Sequence, residues 1–463
     1  MNPMKQQEMY KLNEYRRRLK RTPKLLNVSE QAYRKALSGQ EETAAAQAVV
    51  SMFVLGPVLL SFSLWTLKQA EEAGKRRLYF LARDGWMIYQ MARYLCERKA
   101  LSIECRYLYA SRYAWRIPEQ HLIGEKAMER ICRGGLDVTF AAMMRRAGLT
   151  KEEGSRIAAL IRPGRKETDI LSWKEIQNLR GPLSSCREFI ELADFHSREC
   201  YGDTLSYLEQ EGLLDAVPYG VVDSGWIGTM QESLQHLLEG AGCGGEVEGY
   251  YFGLYNLPRG ADRRNFHGFY FEPDSGAYRK ARFANSLFEC IFTAPHGMTQ
   301  TYVCRNGRWE PKLASVHPAN LEWIKRQLDL LELYIKIAAG LYSEGLEQEA
   351  GELELQGLLE SFMSSPSKEE AVCYGRVLFS DDVTEERMQP LAAKLTQRQF
   401  WEHHPLPRLG LMLLPGKRKL KDSGWIEGSI RLYAGNLYGW HRMGAILYKY
   451  ALYARMQHGY KKG

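Results

Sequence analysis

A chain of 463 residues exceeds the ~100 to 200 residues of one domain and predicts two or three structural units. Hydrophobic residues make up 45% and charged ones 25%, with ten Trp, 27 Tyr and 16 Phe, which excludes a disordered or fibrous chain. The net charge of +8 is gathered at the ends: residues 1–26 hold eight Lys/Arg against two Glu, and residues 405–463 hold eleven against one Asp and one Glu. Basic ends suit membrane headgroups or an anionic glycolipid, and they are equally what solvated helix faces look like; no nucleic-acid-binding motif accompanies them. The nine cysteines are odd in number, scattered, and never in a CxxC or CxxxH pairing. That spacing argues against a structural zinc site or a disulfide framework and for reduced thiols in a cytosolic protein.

Residues 1–75 predict helices, punctuated by Pro23. From Thr43 to Leu67 no residue is charged, and the stretch is long enough to cross the ~30 Å hydrocarbon core of a bilayer. Gly56-Pro57 breaks its middle and Gln, Ser and Thr lower its hydropathy, so it reads as a buried helix covering the sheet that follows. The basic start runs into polar residues 27–43, which excludes a secretory signal.

The run LYFLA, the turn ARDG and the amphipathic stretch WMIYQMARYLCERK predict strand, tight turn and helix. ECRYLYASR predicts a second strand, leading to Arg112 and a turn near Pro118. Residues 122–215 read as mainly helical, with loops at Gly134-Gly135, Pro163-Gly164 and Gly181-Pro182. The same grammar returns in YGVVDSGWIGTMQESLQHLL, and VEGYYFGLYN and FHGFYF predict further strands. Alternating strands and helices imply an α/β fold with a mostly parallel sheet flanked by helices, whose ligands sit at the carboxyl ends of the strands. After Pro311 the chain becomes helical at 318–363, 366–399 and 424–458. The expected organisation is an N-terminal helical segment (1–75), an α/β domain (76–312) and a helical C-terminal domain (313–463).

The sharpest motif is Asp223-Ser224-Gly225-Trp226-Ile227-Gly228-Thr229, between a buried strand and a helix. Glycines let backbone N–H groups and a Thr hydroxyl converge on an anion beside the positive end of the helix, while the Asp is placed for sugar hydroxyls or a metal. It is neither a Walker A loop, which needs Lys before the Thr, nor a dinucleotide fingerprint, whose first glycine is missing. The plain alternative is a tight turn whose glycines serve packing.

Strand, acid, short loop, Gly-Thr and helix resemble the phosphoribosyl-diphosphate loop of type I phosphoribosyltransferases. The resemblance implies that the acidic end holds the ribose hydroxyls, that the Gly-Thr end holds the 5-phosphate, and that LYFLARDGWMI stands where the pyrophosphate loop does. The usual loop carries two adjacent acids and is about one residue longer, whereas Val222-Asp223 supplies one. LGPVLLSFSLW, LYFLARDG, YLYASR, VVDSGWIGTMQ and FECIFTAPHG, over roughly residues 50–305, also resemble a module attached to HAD-type hydrolases of bacterial capsule and O-antigen biosynthesis. The chain lacks the DxDxT/V nucleophile motif of HAD phosphatases, so phosphatase chemistry does not carry over.

Together these resemblances imply a cytoplasmic, phosphoribosyltransferase-like glycosyltransferase, possible also at the inner face of the membrane. It would move a ribofuranosyl phosphate from phosphoribosyl diphosphate, with Mg²⁺ carried by the pyrophosphate, to a glycan or lipid-linked glycan, and a separate HAD phosphatase would remove the 5-phosphate. Loss of pyrophosphate demands Arg and N–H groups around the leaving group. Arg83 is the candidate for it, with Asp84 as a helix cap or metal-side carboxylate, Gly85 completing the loop, and Arg112 as a further anion ligand. Ser224, Gly225, Trp226, Gly228 and Thr229 complete the donor site, and Asp223 is the catalytic acid of the loop. Glu289, with His296 as partner, is the candidate base or acceptor binder; a capping Glu and a core His are the rival. No metal ligand set is assigned, and His403-His404 reads as a loop. The aromatic, basic helix IRLYAGNLYGWHRMGAILYKYALYARM suits either a membrane surface presenting the acceptor or the body of the protein. Rival functions are a non-catalytic phosphosugar-binding or scaffold partner of a HAD phosphatase, and a sugar-phosphate hydrolase.

Overall fold

The computed structural model describes residues 3–37, 45–135, 138–162, 164–380, 388–413 and 422–460. At its centre is a five-stranded, all-parallel sheet in the order β2-β1-β3-β4-β5. Strand β1 spans Arg77–Leu81, β2 Glu104–Leu108, β3 Tyr219–Trp226, β4 Glu248–Leu254 and β5 Phe266–Phe271. All of β1 and most of β3 and β4 are buried, as an apolar run covered on both faces demands. Side chains alternate across the sheet: Leu78, Phe80 and Val222 join one core, Tyr79, Leu81 and Val221 the other. From β1 the chain crosses one way to β2 and then returns past β1 to β3. A crevice therefore opens beyond the carboxyl ends of β1 and β3, where the winding reverses.

The apolar helix Ala45–Glu72 has the length and composition to cross a membrane, yet its most apolar stretch is 94% buried within the chain. Gly56 lets it lie against the ring of Tyr334: a Cβ there would come within 2.3 Å of the ring. Tyr334 belongs to helix Pro318–Gly340. A single core runs from Leu12 through the helix and one sheet face to Tyr334, Phe362 and Trp425, so the N-terminal helices share one interior with helices after residue 318. The expected boundary near residue 312 falls inside a hairpin, β6 (Thr299–Arg305) with β7 (Arg308–Leu313), absent from the sequence reading. Its turn, Asn306-Gly307, has both residues at positive φ, the signature of a tight two-residue hairpin. Tyr302 stacks on Tyr207 at 4.1 Å and accepts a hydrogen bond from Trp115 Nε1, tying the hairpin to the α/β part.

Other expectations shift. Pro118 lies inside helix Arg112–Ile123, because burial of every residue from Ala114 to Gln120 outweighs the lost backbone bond. Gly181-Pro182 sits in the last turns of helix Trp173–Ser185, and Pro163 lies outside the described residues. The helix expected over 366–399 is broken: Lys368–Gly375 is helical, then short strands at Leu378–Phe379 and Gln389–Pro390 pair. His403 and His404 are buried, with His404 Nε2 3.0 Å from His441 Nδ1. The tail forms helices Ile426–Tyr433 and Tyr438–Tyr460, broken at Gly435.

Candidate functional site

A cavity of about 450 Å³ occupies the crevice. The loop after β1 contributes Arg83 and Asp84; the start of helix Arg112–Ile123 contributes Ser111 and Arg112; the end of β3 contributes Asp223, Ser224, Gly225 and Trp226. Thr229, first residue of helix Thr229–Gly240, and Glu289 and His296 complete the expected set. Residues scattered over more than 200 positions of sequence thus meet in one space. β3 stays extended through Trp226, three residues further than a turn starting at Asp223 would allow. Gly253 stands opposite Gly225, where a Cβ would sit 2.0 Å from the Gly253 carbonyl oxygen, and this bare backbone lets the two strands approach.

Gly85 and Gly228 do not line the cavity. A Cβ on Gly85 would press on the Leu81 carbonyl, and one on Gly228 would come within 2.5 Å of the Phe266 ring. Both glycines serve the turn geometry, Gly228 at φ +76°. His296 lines the cavity, but both ring nitrogens are taken: Nδ1–H donates to the Gly297 carbonyl at 2.8 Å, leaving Nε2 to accept from Tyr107 O–H at 2.9 Å. Burial holds its pKa below the usual imidazole value. His296 is therefore a neutral, anchored wall rather than the partner of Glu289. Glu289 instead accepts from Trp226 Nε1–H at 2.5 Å.

Electrostatics set this site apart. Asp84, Asp223 and Glu289 repel one another in a cavity where Asp223 is buried and Asp84 and Glu289 are half-buried. Burial first, then the Glu289 carboxylate, pushes Asp84 up to about 7, against the opposing pull of its own N–H, Arg83 and Arg112. Burial, then Asp84 and Glu289, holds Asp223 well above the carboxylate range, although Ser224 N–H donates to its Oδ1 at 2.9 Å. The Ser224 hydroxyl donates to Asp84 Oδ2, tying the two loops together. Carboxyls whose proton affinity is raised in a cleft are what a general acid, or a site awaiting a cation, offers.

Guanidinium groups share this part of the fold, of which Arg133, in the cavity lining, and Arg116, behind it, escaped the sequence reading. Arg133 lines the cavity from the start of the Gly134-Gly135 loop. Arg116 is buried one turn after Arg112; its Nη2 donates to Thr229 Oγ1 at 3.0 Å, and its Nε finds no hydrogen-bond partner. Burial, with Arg112, Arg130, Arg133 and Arg146 around it, disfavours its charge. Its spacing from Arg112 in RYAWR was the available signal. At the first turn of helix Thr229–Gly240 the Arg116 guanidinium on Thr229 adds a donor suited to an anion.

Among the described residues no group of three or more His, Cys, Asp or Glu is arranged to hold a metal by itself. Asp84 and Asp223 fit a magnesium ion whose remaining ligands are water and substrate oxygens, since Mg²⁺ is usually held by one or two carboxylates plus phosphates. Compared with models of known protein families and with curated proteins, the chain matches none.

Proposed function

We propose that the crevice binds a phosphorylated sugar and transfers it, with phosphoribosyl diphosphate and Mg²⁺ as donor and a glycan hydroxyl as acceptor, on a phosphoribosyltransferase-like framework. The observation that carries this reading is the pairing of two carboxyls of raised proton affinity, Asp84 and Asp223, with Arg83, Arg112 and Arg133 in one cavity at the reversal of the sheet. Acids suit ribose hydroxyls and a cation; guanidinium groups suit phosphates. Bound Mg²⁺, held by Asp84 and Asp223 together with pyrophosphate, would neutralise the departing group.

In such a transfer Arg83 and Arg112 orient the pyrophosphate while the bond from its oxygen to the anomeric carbon breaks. The acceptor oxygen bonds to that carbon, and its proton passes to Glu289, already oriented by Trp226 Nε1–H. Thr229, supported by Arg116, faces the 5-phosphate. A sugar-phosphate hydrolase with Asp84 as nucleophile is the rival that the same carboxyl allows. Titration calorimetry with phosphoribosyl diphosphate and Mg²⁺, beside ribose 5-phosphate and a nucleotide-sugar, tests the proposal on wild type and Asp223→Asn. Magnesium-dependent binding of the diphosphate, lost in the variant, is expected. Preference for a nucleotide-sugar, or equal binding by the variant, would overturn it, and phosphate release from ribose 5-phosphate without an acceptor would favour the hydrolase.

A further inference from the structure

One face of the C-terminal helices is apolar and turned outward. Helix Tyr438–Tyr460 presents Trp440 (57% exposed), Met443 (58%) and Leu447 (52%), spaced so that all three fall on one side. Helix Pro405–Leu413 packs beside it and adds Leu406 (81%) and Leu409 (55%). Trp401 extends the surface, its ring 6.2 Å from that of Trp440, with His404 packed against both. Side chains of this size are normally buried, and a contiguous exposed group of them marks an interaction surface.

Charge identifies the occupant. Residues 405–463 carry eleven Lys/Arg against Asp422 and Glu427, a surplus larger than the net +8 of the whole chain. Both acids are already spent on cations of the same segment, Glu427 on Lys449 at 2.7 Å and Asp422 on Arg408 at 3.9 Å. A second copy of this chain would bring the same surplus and repel; an anionic surface would be attracted. We infer that this face docks on an anionic phospholipid membrane, with Trp401, Trp440 and the leucines entering the headgroup boundary and cations of residues 405–463 meeting lipid phosphates. The helix also reaches the cavity, for Tyr453 lines it and stacks on Tyr255 at 5.0 Å. Docking would thus hold the crevice close to a lipid-linked substrate. The inference does not depend on which phosphosugar the crevice binds.

The test is co-sedimentation of the full chain with vesicles of phosphatidylcholine alone and of phosphatidylcholine with phosphatidylglycerol, at low and high salt, on wild type, Trp440→Ser/Leu447→Ser and Leu406→Ser/Leu409→Ser. The substituted side chains are exposed, so circular dichroism should report an unchanged fold. Binding to the anionic vesicles only, weakened by salt and reduced about tenfold or more in each double variant, is the expected result. Binding that ignores the variants, or no binding, would overturn it. So would a wild-type dimer in sedimentation velocity that the variants dissociate, since the face would then belong to a second copy. Calorimetry with phosphoribosyl diphosphate on the same variants should stay at wild-type affinity, which separates this inference from the reading of the crevice.

Discussion

Replacing Asp84 by Asn should make the protein more stable at alkaline pH while harming its function. The carboxyl is moved from an ordinary value of 3.8 up to about 7, so the folded chain clings to a proton that the unfolded chain has released. A carboxyl raised in the folded state withdraws stability as pH climbs from its unfolded to its folded value. The cost is absent near pH 4 and complete above pH 7. Roughly three pH units at ~1.4 kcal/mol each give about 4 kcal/mol, and screening at the partly exposed cavity wall reduces this to about 2–4 kcal/mol. Asn keeps the shape and an acceptor for the Ser224 hydroxyl but carries no charge. Unfolding entropy of ~2.1 cal/mol/K per residue over 463 residues is about 1 kcal/mol/K. The variant should therefore melt about 2–4 °C above wild type at pH 8, and the gap should shrink as the pH approaches 5. Differential scanning fluorimetry across pH 5–8.5 measures it. Adding Mg²⁺ should narrow the gap by stabilising wild type alone. A gap that is constant across this range, or a variant less stable than wild type at pH 8, would refute the claim that repulsion and burial dominate at Asp84. Stability gained at the expense of activity is the usual signature of a residue kept for function.

Gly228→Val should lower stability by roughly 2 kcal/mol or more, because valine cannot hold φ +76° beside the Phe266 ring. Chemical denaturation checks this, and lost ligand binding at unchanged stability would put Gly228 back in the cavity wall. Arg116→Met should leave the melting temperature equal or higher, since a buried, uncompensated guanidinium is replaced by an apolar chain of similar length, and should weaken phosphate-ligand binding about tenfold through Thr229. Unchanged affinity in calorimetry would mean that the Arg116 charge is not felt in the cavity.

Strand and helix grammar made the parallel sheet legible, because LYFLA and YGVVD are continuous apolar runs that only a doubly covered sheet can bury. Arg83, Asp84, Arg112, Asp223 and Glu289 could be found because each follows a strand or stands in a compact polar-aromatic motif. What could not be read was pairing. Glu289 and His296 lie seven positions apart, yet Trp226 and Tyr107, from distant strands, take the bonds expected between them. Gly228 matches a phosphate-loop pattern, and only the position of Phe266 on β5 reveals which side of the turn is crowded. The hairpin at Asn306-Gly307 is signalled by that dipeptide, but it lies at the expected domain boundary rather than between segments predicted as strands. Arg116 carries no sequence signal of burial, and only the packing of Ala114 to Gln120 against their neighbours places it inside.

The interior shared by helix Ala45–Glu72 and helix Pro318–Gly340 has a consequence for the order of synthesis. The apolar helix Ala45–Glu72 leaves the ribosome about 250 residues before Pro318–Gly340, whose Tyr334 it packs against. At ~5–20 residues per second that is roughly 12 to 50 s in which the side of this apolar stretch that meets Tyr334 is uncovered. The nascent chain should accordingly be a client of a holding chaperone, and a ribosome stalled before residue 318 should expose a product that aggregates or is drawn to membrane-insertion machinery.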